Sequence, residues 1–473
     1  MELREYTALT AVEMAELVRR RTVSPVELTQ AALGAIEETE PKVNGYGAVF
    51  AADALAQAQV LETEARAGKF RGVFHGVPIG IKDLFLTKGV KTQRGSRMYA
   101  ESVPTETAPA VERMLAAGAI MVGKTTTPEF GWKAASTSPL YGVTRNPWDV
   151  SRTAGGSSSG SAVAVADGSV PLTLGSDGGG SMRVPAAFCG IFTLKATLGR
   201  VPTYPLSPSE HLSHAGPMTN SVADYALALD VLQGPDERDP QSLADSPVSY
   251  HRTLGELPKG LRCMLAPTLF GRAVAPGVAS VIAQAFAEIR AHLPVEVIDG
   301  EVDWADPIDV FDGLWVARGA LYSTMKREDK DRLDPGFARM IDRAPAIRLE
   351  DHLRTLQARA AFNRQVAESF RAFDLLLVPM APVEPFAAEA DGPADMDPSV
   401  PVPWARWTPF SYPFNLTGQP AATVPCGWSP SGLPVGLQVI GRRFEEDTVL
   451  QFCAAWEKHF DWRRRKPAVF AGS

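Results

Sequence analysis

One lysine and two glycine-rich serine runs have the settings that could do chemistry in this chain. Lys82 ends the apolar run Gly76-Val77-Pro78-Ile79-Gly80-Ile81. Further on come Gly155-Gly156-Ser157-Ser158-Ser159-Gly160 and Gly178-Gly179-Gly180-Ser181-Met182-Arg183. A serine attacks a carbonyl well where backbone N–H groups are free to meet the oxyanion and no side chain crowds the approach. Glycine supplies both conditions. The hydroxyl also needs a base. The downstream histidines, at 211, 214, 251, 292, 352 and 459, sit in no distinctive setting. A lysine serves instead when it is neutral, and burial favours the neutral amine. Lys82, behind Ile79-Gly80-Ile81, is the candidate. From that segment alone, a solvated lysine at a strand end is the plainer reading.

Two familiar motifs compete for this region. Gly118-Ala119-Ile120-Met121-Val122-Gly123-Lys124-Thr125 fits the phosphate-loop pattern letter for letter. Its variable residues form a β-run rather than a loop, and a helical segment precedes it, so nucleotide binding is not expected. Residues 156–160 fit G-x-S-x-G, the nucleophile elbow. An elbow needs an apolar strand just before it, whereas Asn146-Pro147-Trp148-Asp149 opens a polar loop.

The elements that must hold these residues alternate. Thr10 with Glu13, and Ser24-Pro25-Val26-Glu27, are capping boxes, and they predict helices from there, the second reaching about Glu38. A third helix is expected over 51–66. Strands are expected at 76–81, 119–122, 170–174, 375–378, 422–424 and 436–440. Helices are expected at 107–117, 159–166, 222–233, 276–293 and 446–458. Residues 386–403 read as a surface loop, and 300–345 are charged and weakly patterned. Such alternation implies an α/β fold with helices covering a central sheet. No repeat or long linker divides the chain, so one domain over 1–473 is expected, with 1–66 packed on it and the catalytic blocks in 76–200.

Bulk properties narrow the function. The 473 residues are 45% hydrophobic and 21% charged, enough to bury a large core. A net charge of −7 and a pI near 5.7 argue against nucleic acid and anionic membrane as partners. The four cysteines (189, 263, 426 and 453) form no CxxC pair, so neither a zinc site nor any other metal is expected, and a reducing compartment is. The start, MELREYTALT, has no basic and apolar leader pattern, and no apolar run is long enough to span a membrane, so the expected location is cytoplasmic. Cys189, between Phe188 and Gly190-Ile191-Phe192, reads as a buried structural thiol.

Taken together, the serine blocks resemble the amidase signature family. The resemblance runs through Gly155 to Ser158 and Gly175-Ser176-Asp177-Gly178-Gly179-Gly180-Ser181-Met182-Arg183-Val184-Pro185. It continues in family order elsewhere: Gly76 to Asp83, Gly95-Ser96, Gly123 to Phe130, Asn146 to Asp149, Phe414 to Pro420 and Gly432 to Gln438. Residues 200–375 are the least distinctive. The resemblance implies a large mixed β-sheet with helices on both faces. It implies Ser181 as the acylated nucleophile, Ser157 as a bridging serine after a cis bond from Gly156, and Lys82 as the terminal base. It also implies an oxyanion hole of Gly178, Gly179, Gly180 and Ser181 N–H groups, with Ser158, Ser176, Asp177 and Arg183 in support and no cofactor. Ser159 and Ala196 depart from the family's usual glycine and proline.

The resemblance spans different classes: free amidases, fatty acid amide hydrolases, and the amide-hydrolysing component of glutamine-dependent tRNA amidotransferases. The aromatics Trp404, Trp407 and Phe410, with Phe130 and Trp132, either pack the core or line an apolar acyl pocket. As pocket residues they would suit an apolar or aryl amide, and esters or carbamates of similar shape. The expected partner is a small amide, and a homodimer is compatible with this reading.

Overall fold

The computed structural model describes residues 1–207, 209 and 212–470. His211 lies outside the described residues. Eleven strands form one mixed sheet. From edge to edge they are Tyr46–Val49, Ile120–Thr125, Pro78–Lys82, Leu172–Asp177, His214–Thr219, Phe192–Lys195, Ala421–Trp428, Pro434–Ile440, Leu375–Pro379, Arg262–Leu265 and Glu296–Asp299. Ile120–Thr125, Pro78–Lys82 and Leu172–Asp177 run parallel. The middle of the sheet is antiparallel.

Both faces are covered. Leu375 and Leu377 belong to one buried apolar cluster, and Leu376 and Val378 to another. Successive strand residues point to opposite faces, so this central strand is apolar at every position. The first cluster takes Met14, Leu28, Ala32 and Ile36 from the N-terminal helices onto Ile79 and Ile81 of the lysine strand. The second is rich in aromatics and packs the helices Ile308–Ala317, Pro335–Arg343 and Leu349–Ser369 against the sheet.

Local sequence explains the N-terminal helices. Ser24 Oγ accepts the Glu27 N–H at 3.1 Å, and the Glu27 carboxylate accepts the Ser24 N–H at 2.8 Å. Thr10 and Glu13 repeat the arrangement. The helix Pro25–Val43 stops where Asn44 turns left-handed, at φ 52°. It runs past the expected end at Glu38.

Five strands of the central sheet were not expected: Tyr46–Val49, Phe192–Lys195, His214–Thr219, Arg262–Leu265 and Glu296–Asp299. Four of them have only four residues, too few for a clear period, and His214–Thr219 carries the turn-like pair Gly216-Pro217. The weakly patterned stretch 300–345 is helical in large part. Asp334 Oδ1 caps Pro335–Arg343 by accepting the Gly336 N–H at 2.8 Å, and that helix buries Phe337, Met340 and Ile341.

Candidate active site

Pro78–Lys82 and Leu172–Asp177 are parallel neighbours, so Lys82 and Ser176 emerge at the same end of the sheet. Crevices at the carboxyl ends of parallel strands are where open α/β sheets hold ligands. Lys82 is fully buried. Its Nζ lies 2.8 Å from Ser157 Oγ, 2.9 Å from Ser158 Oγ and 3.0 Å from Ser176 Oγ. Burial holds its pKa well below the ordinary 10.5, against the pull of Asp177. The solvated reading of this lysine is therefore excluded.

A neutral amine has two hydrogens and one lone pair for these three hydroxyls. Ser158 Oγ gives its own hydrogen to Ser176 O at 3.1 Å, so it accepts from the lysine. Ser157, the shortest contact, is free to donate to the lone pair. Ser157 follows a cis peptide bond from Gly156. Gly156 has no room for a side chain: a Cβ there would stand 3.0 Å from the Ala134 and Ala135 carbonyl carbons. Ser158 N–H donates to Ser181 O at 3.0 Å, tying the two serine runs together. Ser157 and Ser181 line the same cavity.

The triple-glycine loop is braced from below. Arg183 Nε donates to Asp177 Oδ2 at 2.9 Å and Arg183 Nη2 to Asp177 Oδ1 at 3.0 Å. Arg183 also reaches Ser411 O, Gln438 Oε1 and Asn415 Oδ1. Burial alone would raise the Asp177 pKa, but Arg183 and Asn415 outweigh it and hold the carboxylate far below its usual range. Asp177 and Arg183 thus form a buried ion pair beneath the loop.

The Gly180 N–H donates to Asp177 Oδ1 at 2.7 Å. It is spent on the brace and leaves the expected oxyanion set. Among the described residues, the N–H groups of Gly178, Gly179 and Ser181 have no hydrogen-bond partner. They remain the available donors.

The cavity above them has a volume of about 320 Å³. Of the five aromatics considered, Phe130 lines it. Trp132, Trp404, Trp407 and Phe410 do not; they are buried in the aromatic core. Trp407 stacks on Phe188 with ring centres 6.2 Å apart. Trp404 packs edge-on against Phe311 and stands behind the glycine loop: a Cβ on Gly179 would meet it at 2.7 Å. These four belong to the second apolar cluster and are absent from the cavity lining, as the core alternative has it.

Sequence reasoning missed most of the wall. Leu84, Phe85 and Arg94 contribute from the stretch after Lys82, and Thr203 to Ser207 from a loop. Trp315, Arg318 and Tyr322 come from the weakly patterned segment. The spacing of Phe311, Leu314, Trp315 and Arg318 along one helical face was the available signal. His214 also lines the cavity. Its Nδ1 lies 2.8 Å from Leu212 O and its Nε2 3.4 Å from Lys195 Nζ. Burial, then Lys195, keeps the ring well below its usual pKa and neutral.

The competing motifs resolve structurally. Ile120–Thr125 is a strand, and the buried Lys124 Nζ donates to Phe85 O at 2.5 Å and Thr92 Oγ1 at 3.1 Å, which rules out a phosphate loop. The segment before Ser157 is a strand of a two-stranded ribbon, outside the central sheet. Cys189 is buried, and burial raises its pKa. Among the described residues, Glu288, His292 and His459 bring potential metal ligands within 4.8 Å of one another, but none of them lines the cavity.

Residues 27–450 match the sequence profile of the family described as Amidase. The chain belongs to the amidase signature family. One relative, from Chloroflexus aggregans, is the A component of a glutamyl-tRNA(Gln) amidotransferase; the two are 36% identical over 98% of this chain and 96% of that one. The chain is 33% identical to an acylamidase of Rhodococcus erythropolis, over 97% of each. A bacterial aryl acylamidase of the same family superposes with a TM-score of 0.90 at 27% identity, covering 98% of this chain and 99% of that one. This amidase-family chain is accordingly an enzyme acting on amide C–N bonds.

Proposed function

We propose that this amidase acts alone on a carboxylic amide with an apolar or aryl body, through an acyl-enzyme on Ser181. The observation that carries the mechanism is the buried Lys82 amine, held among three serine hydroxyls and, among the described residues, with no carboxylate in ion-pair range. Ser157 gives its proton to Lys82 while it takes the proton of Ser181. Ser181 Oγ attacks the carbonyl, and the oxyanion meets the N–H groups of Gly178, Gly179 and Ser181. The proton returns through Ser157 to the leaving nitrogen, the C–N bond breaks, and water then repeats the sequence on the acyl ester. The apolar wall of Leu84, Phe85, Phe130, Trp315 and Tyr322 supports the choice of substrate body. Esters and carbamates, which share the tetrahedral intermediate, fit the same chemistry.

A second reading, the amide-hydrolysing component of a glutamine-dependent tRNA amidotransferase, draws on the names of its relatives. Glutamine brings an α-ammonium that wants a free carboxylate. Among the described residues, the carboxylate in the cavity lining is Asp177, already bonded to Arg183 and Asn415.

The test is hydrolysis by the purified chain of an aryl amide, a short aliphatic amide, an aryl carbamate and glutamine. Turnover of the aryl amide without a partner, abolished in Ser181→Ala, is the expected result. Turnover of glutamine alone, or of nothing until partner proteins are added, would favour the second reading.

A further inference from the structure

The cavity wall contains a buried cation that has no counter-ion among the described residues. Arg318 follows the helix Ile308–Ala317 and is 9% exposed. Its Nη2 donates to Phe130 O at 3.2 Å, and its guanidinium lies 4.4 Å from the centre of the Trp315 ring. Its Nε is buried and has no partner. Among the described residues it makes no ion pair, and the phenol of Tyr322 is near enough to act on its charge. Burial pulls its pKa down to about 10, so it is still a cation at neutral pH.

Two other buried cations of this fold are matched. Arg183 has Asp177 and three further acceptors, and Lys133 has Asp334 and Asp391. An arginine presents five N–H donors in a planar fork, and here one is used. A desolvated charge without a partner is costly, and it persists where something else recovers the cost.

A second arginine faces the same space. Arg94 lines the cavity, its Nε is also buried without a partner, and its guanidinium lies 5.0 Å from the Tyr99 ring centre. The two are joined through Phe130, whose N–H donates to Arg94 O at 2.8 Å and whose carbonyl takes Arg318. Trp315 and Phe130, which both touch the Arg318 guanidinium, line the cavity that contains Ser181. The lining carboxylate, Asp177, is already used.

We propose that Arg318, with Arg94 beside it, receives a carboxylate of the substrate, so that the preferred substrate is an anionic amide with an apolar body. The fork geometry suits a carboxylate accepted through two N–H groups. This inference rests on Ser181 being the nucleophile of the same cavity.

The experiment uses matched anilides that differ in one charge. One pair places the charge on the acyl side: glutaric acid monoanilide against pentanoyl anilide. The other places it on the amine side: 4-acetamidobenzoate against 4-methylacetanilide. The wild type should prefer the anionic member of at least one pair by about tenfold or more in kcat/KM. Arg318→Met should bring that ratio down toward one, and Arg318→Lys should restore part of it. A wild-type ratio near one in both pairs overturns the proposal, and so does a ratio that Arg318→Met leaves intact. A melting series separates this from a structural role. Glutarate or 4-aminobenzoate should raise the Tm of the wild type and not of Arg318→Met, and unliganded Arg318→Met should melt no lower than the wild type. Absence of any ligand-induced shift in the wild type overturns the proposal as well. Failure of the wild type to hydrolyse any anilide would overturn the reading as a stand-alone aryl amidase, while the melting series would still decide the carboxylate site.

Discussion

Gly179→Ala should cripple catalysis while leaving the protein folded. A Cβ on Gly179 would stand 2.7 Å from Trp404 Cη2 and 2.8 Å from Phe311 Cζ. Ordinary carbon contacts begin at about 3.5 Å, so one partner must yield by roughly 0.7 Å. The rings cannot yield. Phe311 is stacked on Trp315 at 5.3 Å and on Tyr412 at 4.8 Å, and Trp404 is wedged edge-on against both Phe311 and Trp315. The glycine loop must move instead, carrying its N–H away from the oxyanion. Donors work there within a window of about 0.4 Å. Loss of one donor costs roughly 10²–10³ in kcat, or about 2.7–4 kcal/mol of transition-state stabilisation. The assay is steady-state hydrolysis of an aryl amide beside a thermal melt. KM should change little, because the ground-state carbonyl depends less on that donor. A variant that melts cooperatively near the wild type and keeps a third or more of its kcat would remove Gly179 from the oxyanion hole.

Lys82→Met should lower kcat by roughly 10²–10⁴, the usual worth of a positioned base. It should also change the response of stability to pH. Burial lowers the folded pKa of Lys82, so the wild type loses stability as pH falls from 10.5 toward that lowered value. The methionine variant lacks this slope, and melts across the alkaline range would show its advantage growing as pH drops. Glu40 behaves in the opposite sense. Burial raises it to about 7, against the N–H bonds from Tyr46 and Gly45. The folded state holds its proton longer, so stability falls as pH rises from about 4.5 to about 7, by up to about 3 kcal/mol. Glu40→Gln keeps an acceptor for those N–H groups, and urea unfolding should show that part of the slope gone. Phe410→Ala should cost about 3–5 kcal/mol of stability without reordering a panel of amides, because its ring lies in the core. Tyr322→Leu should reorder the same panel, because its ring lines the cavity; an unchanged ranking would remove Tyr322 from substrate recognition.

The candidate site was legible through the resemblance, whose motifs are short local runs. Lys82 ends an apolar strand, and Ser157 and Ser181 each lie in or beside a glycine run, so a few adjacent residues carry the information. The N-terminal helices were legible for the same reason, each opened by its own capping box. The aromatics from Trp404 to Phe410 were ambiguous because side-chain type cannot tell a core ring from a cavity ring. For Trp404 what decides is the glycine loop on which it presses, more than two hundred residues away in sequence. The commitment of the Gly180 N–H to Asp177 was equally hidden, since it follows from how the loop bends around the Asp177–Arg183 pair. The strand His214–Thr219 was missed because Gly216-Pro217 reads as a turn, and only pairing with Leu172–Asp177 makes it extended.

Substrate choice in this amidase must reside in the parts of the chain that were hardest to read. The floor of the cavity is glycine backbone and serine hydroxyl, held by Lys82 and Asp177, and in the proposed mechanism it meets the scissile amide. It therefore distinguishes poorly between one amide and another. The wall is assembled from Leu84 to Arg94, Phe130, Thr203 to Ser207 and Trp315 to Tyr322. These segments come from loops and from a helix whose sequence pattern is weak. Relatives at 33–36% identity can thus carry the names of an acylamidase and of an amidotransferase component without contradiction. The same division fits an arginine at position 318 that has no ion pair among the described residues. A mismatch in the floor would disturb the chemistry common to every substrate, whereas a charge in the wall disturbs only those substrates that cannot answer it. A variant with a neutral side chain at 318 should accordingly keep the acyl-enzyme chemistry of Ser181 and lose the discrimination by charge.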